Sequence, residues 1–89
     1  MESKRCVFLK AMTKWLEQSW LAEVRQSRIV IQADESSYLA DLHLPVVMVI
    51  EELAYGMLET DLMAQYDGLT LADLRACSLF MYLRAVGKI

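Results

Sequence analysis

The chain has 89 residues, 56% of them hydrophobic, and a net charge of −3. At this length we expect a single domain, residues 1–89, whose core is close to the smallest that is stable alone. The high hydrophobic content predicts that a second copy of the chain, or a partner, covers part of the apolar surface. No apolar run approaches the ~20 residues of a membrane-spanning helix, so we expect neither a membrane protein nor a cleavable signal.

The charge distribution and the two cysteines indicate where the protein acts and whether it binds a metal. Residues 1–28 hold six basic and three acidic side chains, whereas residues 29–89 hold three basic and nine acidic ones. Cys6 and Cys77 have no metal-ligand spacing and lie in apolar helical patterns, where a free thiol behaves as a small hydrophobe. We therefore expect a cytoplasmic protein without a metal or another cofactor.

Residues 1–27 are predicted to form an N-terminal amphipathic helix. Large apolar residues recur at helical spacing, at Leu9, Met12, Leu16, Trp20 and Val24. Trp15 flanks this stripe, and Lys10 and Lys14 lie opposite it. Such a helix either presents a basic face to nucleic acid or a membrane, or packs in a core or dimer with its charged face in water. The second interpretation is favoured, because interfacial helices carry Lys and Arg more densely.

Residues 28–44 are predicted to contain a strand and a connector. The run from Arg28 to Gln32 is short and β-branched, as in a strand, but no second convincing strand is recognisable. A lone strand must find partners for its backbone groups, and the same strand of a second copy would supply them. The alternative is that this run is a buried connection or continues the first helix.

Residues 45–86 have the outline of a helix-turn-helix unit, because three apolar helical runs are separated by corners that contain glycine. The expected helices start at Pro45, Glu59 and Leu71 and end near Gly56, Tyr66 and Val86. Thr70 and Asp73 have the spacing of a capping box at the start of the third helix. The predicted fold class is mainly α: a three-helix, homeodomain-like helix-turn-helix unit, preceded by the long amphipathic helix and by one short strand if residues 28–32 form one.

The third of these helices is apolar on almost all sides, and the first carries apolar residues off its main stripe. A helix that is apolar all round is buried all round, so in a chain this short we predict a subunit interface and a homodimer. Aromatic side chains provide much of the binding energy at interfaces. The candidate interface residues are Trp15, Trp20, Val47, Met48, Phe80 and Tyr82.

Several positions in the second half of the chain carry a resemblance to a known family. They are Pro45-Val46, Ile50, Leu53, Gly56, Tyr66, Leu69-Thr70, Asp73-Leu74 and Ala76-Cys77. This pattern is similar to the motif of domain-of-unknown-function family 433. The resemblance implies a small homeodomain-like helical domain and, for many members, an antitoxin of VapB type encoded beside a PIN-like ribonuclease toxin. A glycine-rich hairpin usually precedes the motif in that family, and residues 28–40 contain no recognisable counterpart.

No enzymatic chemistry is predicted. His43 is the single histidine, and no cysteine lies at ligand spacing from it. Glu51 and Glu52 are adjacent, so on a helix they point ~100° apart and do not form a carboxylate pair. The sequence has no glycine-rich phosphate loop and no nucleophile elbow. We therefore expect a protein without catalytic residues.

DNA binding is the natural function to test for a helix-turn-helix outline. The candidate DNA contacts are Lys10, Lys14, Arg75 and Arg84. Because Lys and Arg provide most non-specific affinity for phosphates, the acidic unit at residues 45–86 predicts that any DNA binding is weak.

The leading functional hypothesis is a small non-enzymatic regulatory protein that acts by protein–protein interaction and resembles an antitoxin that neutralises a ribonuclease. One alternative is a DNA-binding transcriptional repressor, which would use the basic N-terminal helix together with Arg75 and Arg84. Another is a small inhibitor, of the phage or plasmid type, of a larger complex.

Overall fold

The structure is a computed structural model that describes the backbone of residues 4–89 and the side chains of residues 12–89. The side chains of Cys6, Leu9 and Lys10 therefore lie outside the described residues. The described helices are α1 (Lys4–Gln26), α2 (Val46–Ala54), α3 (Glu59–Gln65) and α4 (Leu71–Ala85). Three short strands, β1 (Ile29–Ile31), β2 (Ser37–Leu39) and β3 (Leu44–Pro45), lie between α1 and α2.

The three strands form an antiparallel sheet in the order β1-β2-β3. Ile29 of β1 pairs with Leu39 of β2, which pairs in turn with Leu44 of β3. Leu39 and Leu44 are both buried, so one face of the sheet contributes to the core. β1 thus finds its partner within the chain, and the expectation that the sequence holds no second strand is wrong.

The predicted fold class is wrong for the same reason. The protein combines helices with a sheet, and it is not a mainly α, three-helix homeodomain-like helix-turn-helix unit. Strands of two or three residues are too short for an alternating pattern to be visible in the sequence. The turns also lack a glycine signal, because their positive φ angles belong to Glu35 (70°) and His43 (50°).

The starts of the last two helices agree with the sequence analysis. α3 begins at Glu59 and α4 at Leu71, as expected. Thr70 Oγ1 accepts a hydrogen bond from the Asp73 N–H (3.2 Å), and the Asp73 carboxylate accepts one from the Thr70 N–H (2.9 Å). The capping box predicted at the start of α4 is therefore confirmed.

Glycines with positive φ angles follow the ends of α2 and α4. After α2, Gly56 has a φ of 97°, and the next N–H donates back to the carbonyl of Glu52 (3.1 Å). After α4, Gly87 has a φ of 76°, and the Lys88 N–H donates back to the carbonyl of Leu83 (2.8 Å). Both are Schellman turns, which require a left-handed residue and which satisfy the last carbonyls of the helix.

The core is a single cluster of buried apolar side chains contributed by the helices, the sheet and the corner before α4. Its members are Val24, Leu39, Leu44, Val46, Val49, Leu62, Leu69, Leu74, Cys77, Phe80 and Leu83. Because α4 supplies four of these residues, it is the central element of the fold.

α1 packs antiparallel to α4. Arg75, early in α4, donates to Glu23 near the end of α1 (2.7 Å), and Tyr82, late in α4, donates to Glu17 (3.2 Å). α2 and α3 also contact α4. Most apolar side chains of α4 are thus covered within one chain, whereas Leu71 and Tyr82 stay partly exposed, so the pattern of this helix is weaker support for a subunit interface than expected.

Candidate protein-binding surfaces

Three of the six predicted interface residues are engaged inside the chain. Phe80 is 1% exposed and lies in the core, so its assignment to an interface is wrong. Trp20 is partly buried and packs edge-on against Tyr82, with ring centroids 5.6 Å apart and planes at 88°. The bond between Tyr82 and Glu17 raises the pKa of the tyrosine. Trp20 and Tyr82 therefore join α1 to α4.

The other three predicted interface residues are accessible. Trp15 on α1 is 65% exposed, and Val47 and Met48 lie exposed side by side at the start of α2. The Tyr66 hydroxyl donates to the Glu52 carboxylate (3.3 Å) and lies 3.6 Å from the Met48 sulfur, so it ties α2 to the end of α3. These residues are thus free to contact another molecule, although they lie on two different helices.

The two arginines among the candidate DNA contacts do not form a common surface. Arg75 is paired with Glu23, whereas Arg84 lies 3.5 Å from Glu35 and over the ring of Phe80, 5.6 Å from its centroid. Nine helical positions separate the two arginines, which places them on opposite sides of α4. They cannot contact the same face of a DNA duplex. Lys14 is exposed on α1, and the side chain of Lys10 lies outside the described residues.

An ion-pair network that the sequence does not reveal surrounds the capping box. The guanidinium of Arg28 binds both carboxylate oxygens of Asp73, through Nε (3.0 Å) and through Nη2. Nη2 also donates to the carbonyl of Gly68 (2.7 Å), and Nη1 lies 3.3 Å from Asp41. A single residue just before β1 thus joins the sheet to the start of α4.

The surroundings of two buried residues of α4, Asp73 and Cys77, shift their pKa values. The carboxylate is buried, and its hydrogen bonds to Arg28 and to Thr70 hold the pKa of Asp73 below its usual range. Farther along α4, burial and the charge of Asp73 raise the pKa of the Cys77 thiol to about 12. Cys77 is therefore a protonated core residue at neutral pH and not a nucleophile.

An apolar surface that the sequence did not reveal lies where α2, α3 and α4 meet. Leu58 is 66% exposed and Leu71 is 57% exposed, and the partly buried Leu53 and Met57 lie next to them. Two shallow grooves, one lined by Leu58 and the other by Leu71, share Leu53 and Glu59. We refer to Leu53, Met57, Leu58 and Leu71 as the corner surface.

The position of Leu58 offers a signal that sequence reasoning can use. Leu58 is the N-cap residue of α3 and makes no side-chain capping bond. Leucine is a poor N-cap, and serine or aspartate would stabilise the helix better. An exposed leucine at such a position favours a role outside local stability, namely contact with another molecule.

An acidic side chain borders the corner surface. Glu59 lines both grooves; Asp61 lies with it in the first turn of α3 and Asp67 in the turn before α4, and all three are exposed. Arg75, which lines one groove, is paired with Glu23. The corner surface therefore combines apolar contact area with a carboxylate at both grooves.

Comparison of the chain with protein-family models, curated proteins and solved structures finds no match. Within the described part of the chain, no cluster of three or more His, Cys, Asp or Glu side chains is placed to hold a metal ion. None of the helices in that part has the length and apolar character needed to cross a membrane.

Proposed function

We propose that this chain is a small, non-enzymatic regulatory protein that binds another protein, in the manner of an antitoxin that neutralises a ribonuclease. The observation that carries the proposal is the corner surface, where two leucines remain more than half exposed beside grooves. Large apolar side chains grouped at one place are typical of binding sites for proteins.

The charge around the corner surface favours a partner with a basic surface. Ribonucleases bind a polyanion and need cationic side chains to do so. The exposed acids Glu59, Asp61 and Asp67 would complement such a surface, and complementary charge speeds association and selects partners. A basic, RNA-binding protein is therefore the class of partner that fits.

The antitoxin part of the proposal comes from the resemblance of residues 45–77 to family 433, although no family model matches the chain. The hairpin of β1 and β2 occupies the place of the hairpin that usually precedes the family motif, although glycine is absent from its turn. We propose on this basis a PIN-like toxin as the partner, with the complex in the cytoplasm. A homodimer stays a prediction, supported by the exposed Trp15, more weakly by α4 and no longer by an unpaired strand.

Growth rescue tests the proposed function. A ribonuclease encoded beside this chain should arrest growth when it is expressed alone, and co-expression of this chain should restore growth. Changing Leu58 and Leu71 together to aspartate should abolish the rescue and weaken the purified complex roughly a thousandfold, since each hot-spot residue contributes ~2 kcal/mol or more. Aspartate is a good N-cap and suits a first helical turn, so the variant should melt no lower than the parent.

Val47 and Met48 provide the matched control, because changing both to aspartate introduces the same charge on another exposed apolar site. This second variant should still rescue growth if the partner binds the corner surface and not the predicted interface residues of α2. Loss of rescue in the α2 variant but not in the Leu58/Leu71 variant would move the binding site to α2. A neighbouring gene product that does not arrest growth would reject the antitoxin proposal.

Duplex DNA is expected to bind only weakly at physiological salt. Residues 45–86 carry six acids against Arg75 and Arg84, and both arginines already contact acids of this chain. The residual binding should fall steeply with salt and should weaken further when Lys10 and Lys14 are changed to glutamine. Fluorescence anisotropy measures both effects, and tight, sequence-specific binding by the glutamine variant would refute the expectation.

A further inference from the structure

β1 is an edge strand: no other strand of the described residues pairs with its outer side, where the N–H of Ile29 donates to the Ser27 hydroxyl (3.3 Å). Backbone hydrogen bonds at both ends of the hairpin, from Gln32 to Ser36 and from Ala40 to Arg28, fix which backbone groups face β2. In an antiparallel pair these groups alternate along the strand, so the N–H and carbonyl of Ile31 point away from β2. An open edge of this kind can accept a further strand.

A cavity of about 260 Å³ lies along this open edge. Its apolar lining consists of Leu21 and Val24 from α1, Ile29 and Ile31 from β1, and Ile89 after the turn that ends α4. No residue of β2 or β3 lines it, so the edge strand β1 is the one strand of the sheet that borders the cavity. The volume is below the ~300–1,000 Å³ of sites for drug-sized ligands, so it suits one or two side chains better than a cofactor.

The charge at the cavity is positive, in contrast to the rest of the chain. Arg25 and Lys88 line it, and no acidic residue does. Lys88 lies 3.7 Å from Glu17, whereas Arg25 has no ion pair in the described part of the chain. A group that enters the cavity therefore meets apolar walls and a cationic rim.

We propose that the edge of β1 and this cavity bind an extended segment of a partner protein. The segment would add a strand beside β1, place alternate apolar side chains in the cavity and bring an acidic residue to Arg25. This inference rests on the proposed function in one respect, namely that the segment belongs to a protein partner. It adds a second contact, distinct from the corner surface.

A second copy of this chain fits the site less well. It would bring its own Arg25 and Lys88 to the shared edge, and like charges at an interface oppose association. The acids nearest its strand are already engaged, because Asp34 accepts from Ser36 (2.6 Å) and Glu35 lies 3.5 Å from Arg84. The segment should therefore come from a different protein.

A synthetic peptide tests the proposal with the full chain. The probe is an N-acetylated hexapeptide in which threonines alternate with two leucines and a final aspartate, so that the leucines and the aspartate share one face. Nuclear magnetic resonance titration at millimolar peptide should shift the amide signal of Ile31. Changing Arg25 to glutamate should weaken binding about tenfold, and replacing the aspartate of the peptide by lysine should restore it.

Two further variants test whether binding takes place at the edge of β1 and on this face of the sheet. Ile31→Pro removes the outward N–H and one apolar side chain of the cavity without removing a bond to β2, so it should abolish binding. Val30→Thr alters the opposite face of the sheet and should leave binding unchanged. If Ile31→Pro lowers the melting temperature, the proposal is tested by the charge reversal alone. The affinities of Arg25→Glu for the aspartate peptide and for the lysine peptide then decide whether it holds.

Three results would overturn the inference: no shift of the Ile31 amide, equal affinity of Arg25→Glu for both peptides, or a dimer in light scattering that Ile31→Pro converts to a monomer. The last result would show that the edge of β1 pairs with a second copy of the chain. Because peptide binding and growth rescue are separate measurements, failure of this inference is distinguishable from failure of the proposed function.

Discussion

Replacement of Phe80 by alanine is expected to lower the free energy of unfolding by ~3–5 kcal/mol. Phe80 is among the largest fully buried side chains and lies at the centre of the cluster that α4 forms with the sheet and the other helices. A domain of this size has only ~5–15 kcal/mol of stability in total, so the variant should be largely unfolded near body temperature. Thermal melting followed by circular dichroism measures the effect.

Trp15→Ala is the comparison for Phe80→Ala, because it removes a larger aromatic ring from an exposed position on α1. Its melting temperature should stay close to that of the parent. Any loss should appear instead in association with a partner or a second copy. A Trp15 variant that melts as early as the Phe80 variant would place Trp15 in the core and contradict its assignment to an interface.

Replacement of Arg28 by alanine is expected to lower the free energy of unfolding by ~3 kcal/mol, because it leaves a buried carboxylate without its cation. Asp73 is 5% exposed and receives two bonds from the guanidinium. The Asp41→Asn change, which breaks the exposed contact of the same arginine, should change stability by less than ~1 kcal/mol. Denaturant unfolding of the two variants separates these contributions.

The network around Asp73 also predicts a dependence of stability on pH. The folded state lowers the pKa of Asp73, so its contribution is fully present above the unfolded pKa of about 3.9. The contribution is lost as the pH falls through the lower, folded value. In Arg28→Ala this loss should shrink, because the largest cause of the lowered pKa has been removed. An acid unfolding curve identical to that of the parent would refute the assignment.

Features that depend on residues close together in the chain could be predicted from the sequence. Features that depend on contacts between separate segments could not. The start of α4 at Leu71 and the bonds between Thr70 and Asp73 follow from residues three positions apart, so they are visible in the sequence. The sheet depends on pairing between very short strands whose turns carry no glycine. Propensity and periodicity have little to act on in strands of this length, and the missed sheet led to the wrong fold class.

The residues of the candidate sites also differ in how far they could be predicted from the sequence. Trp15, Val47 and Met48 are exposed, so their role at an interface stays a prediction, whereas Phe80 lies in the core that α4 forms with the sheet and the other helices. The bond from Arg28 to Asp73 spans 45 positions and leaves no trace in local patterns. The leucine at the N-cap of α3 was the one readable sign of the corner surface.

The antiparallel packing of α1 on α4 affects how the chain folds during its synthesis. Glu17 and Tyr82 are separated by 65 positions, so the first helix leaves the ribosome long before its partner helix is synthesised. Contacts between distant parts of a chain form late and slow folding. Throughout that interval the apolar side of α1 is uncovered, and a nascent chain in this state is exposed to aggregation, chaperones and proteases. Premature termination before α4 would yield a product that cannot form the core and is quickly removed.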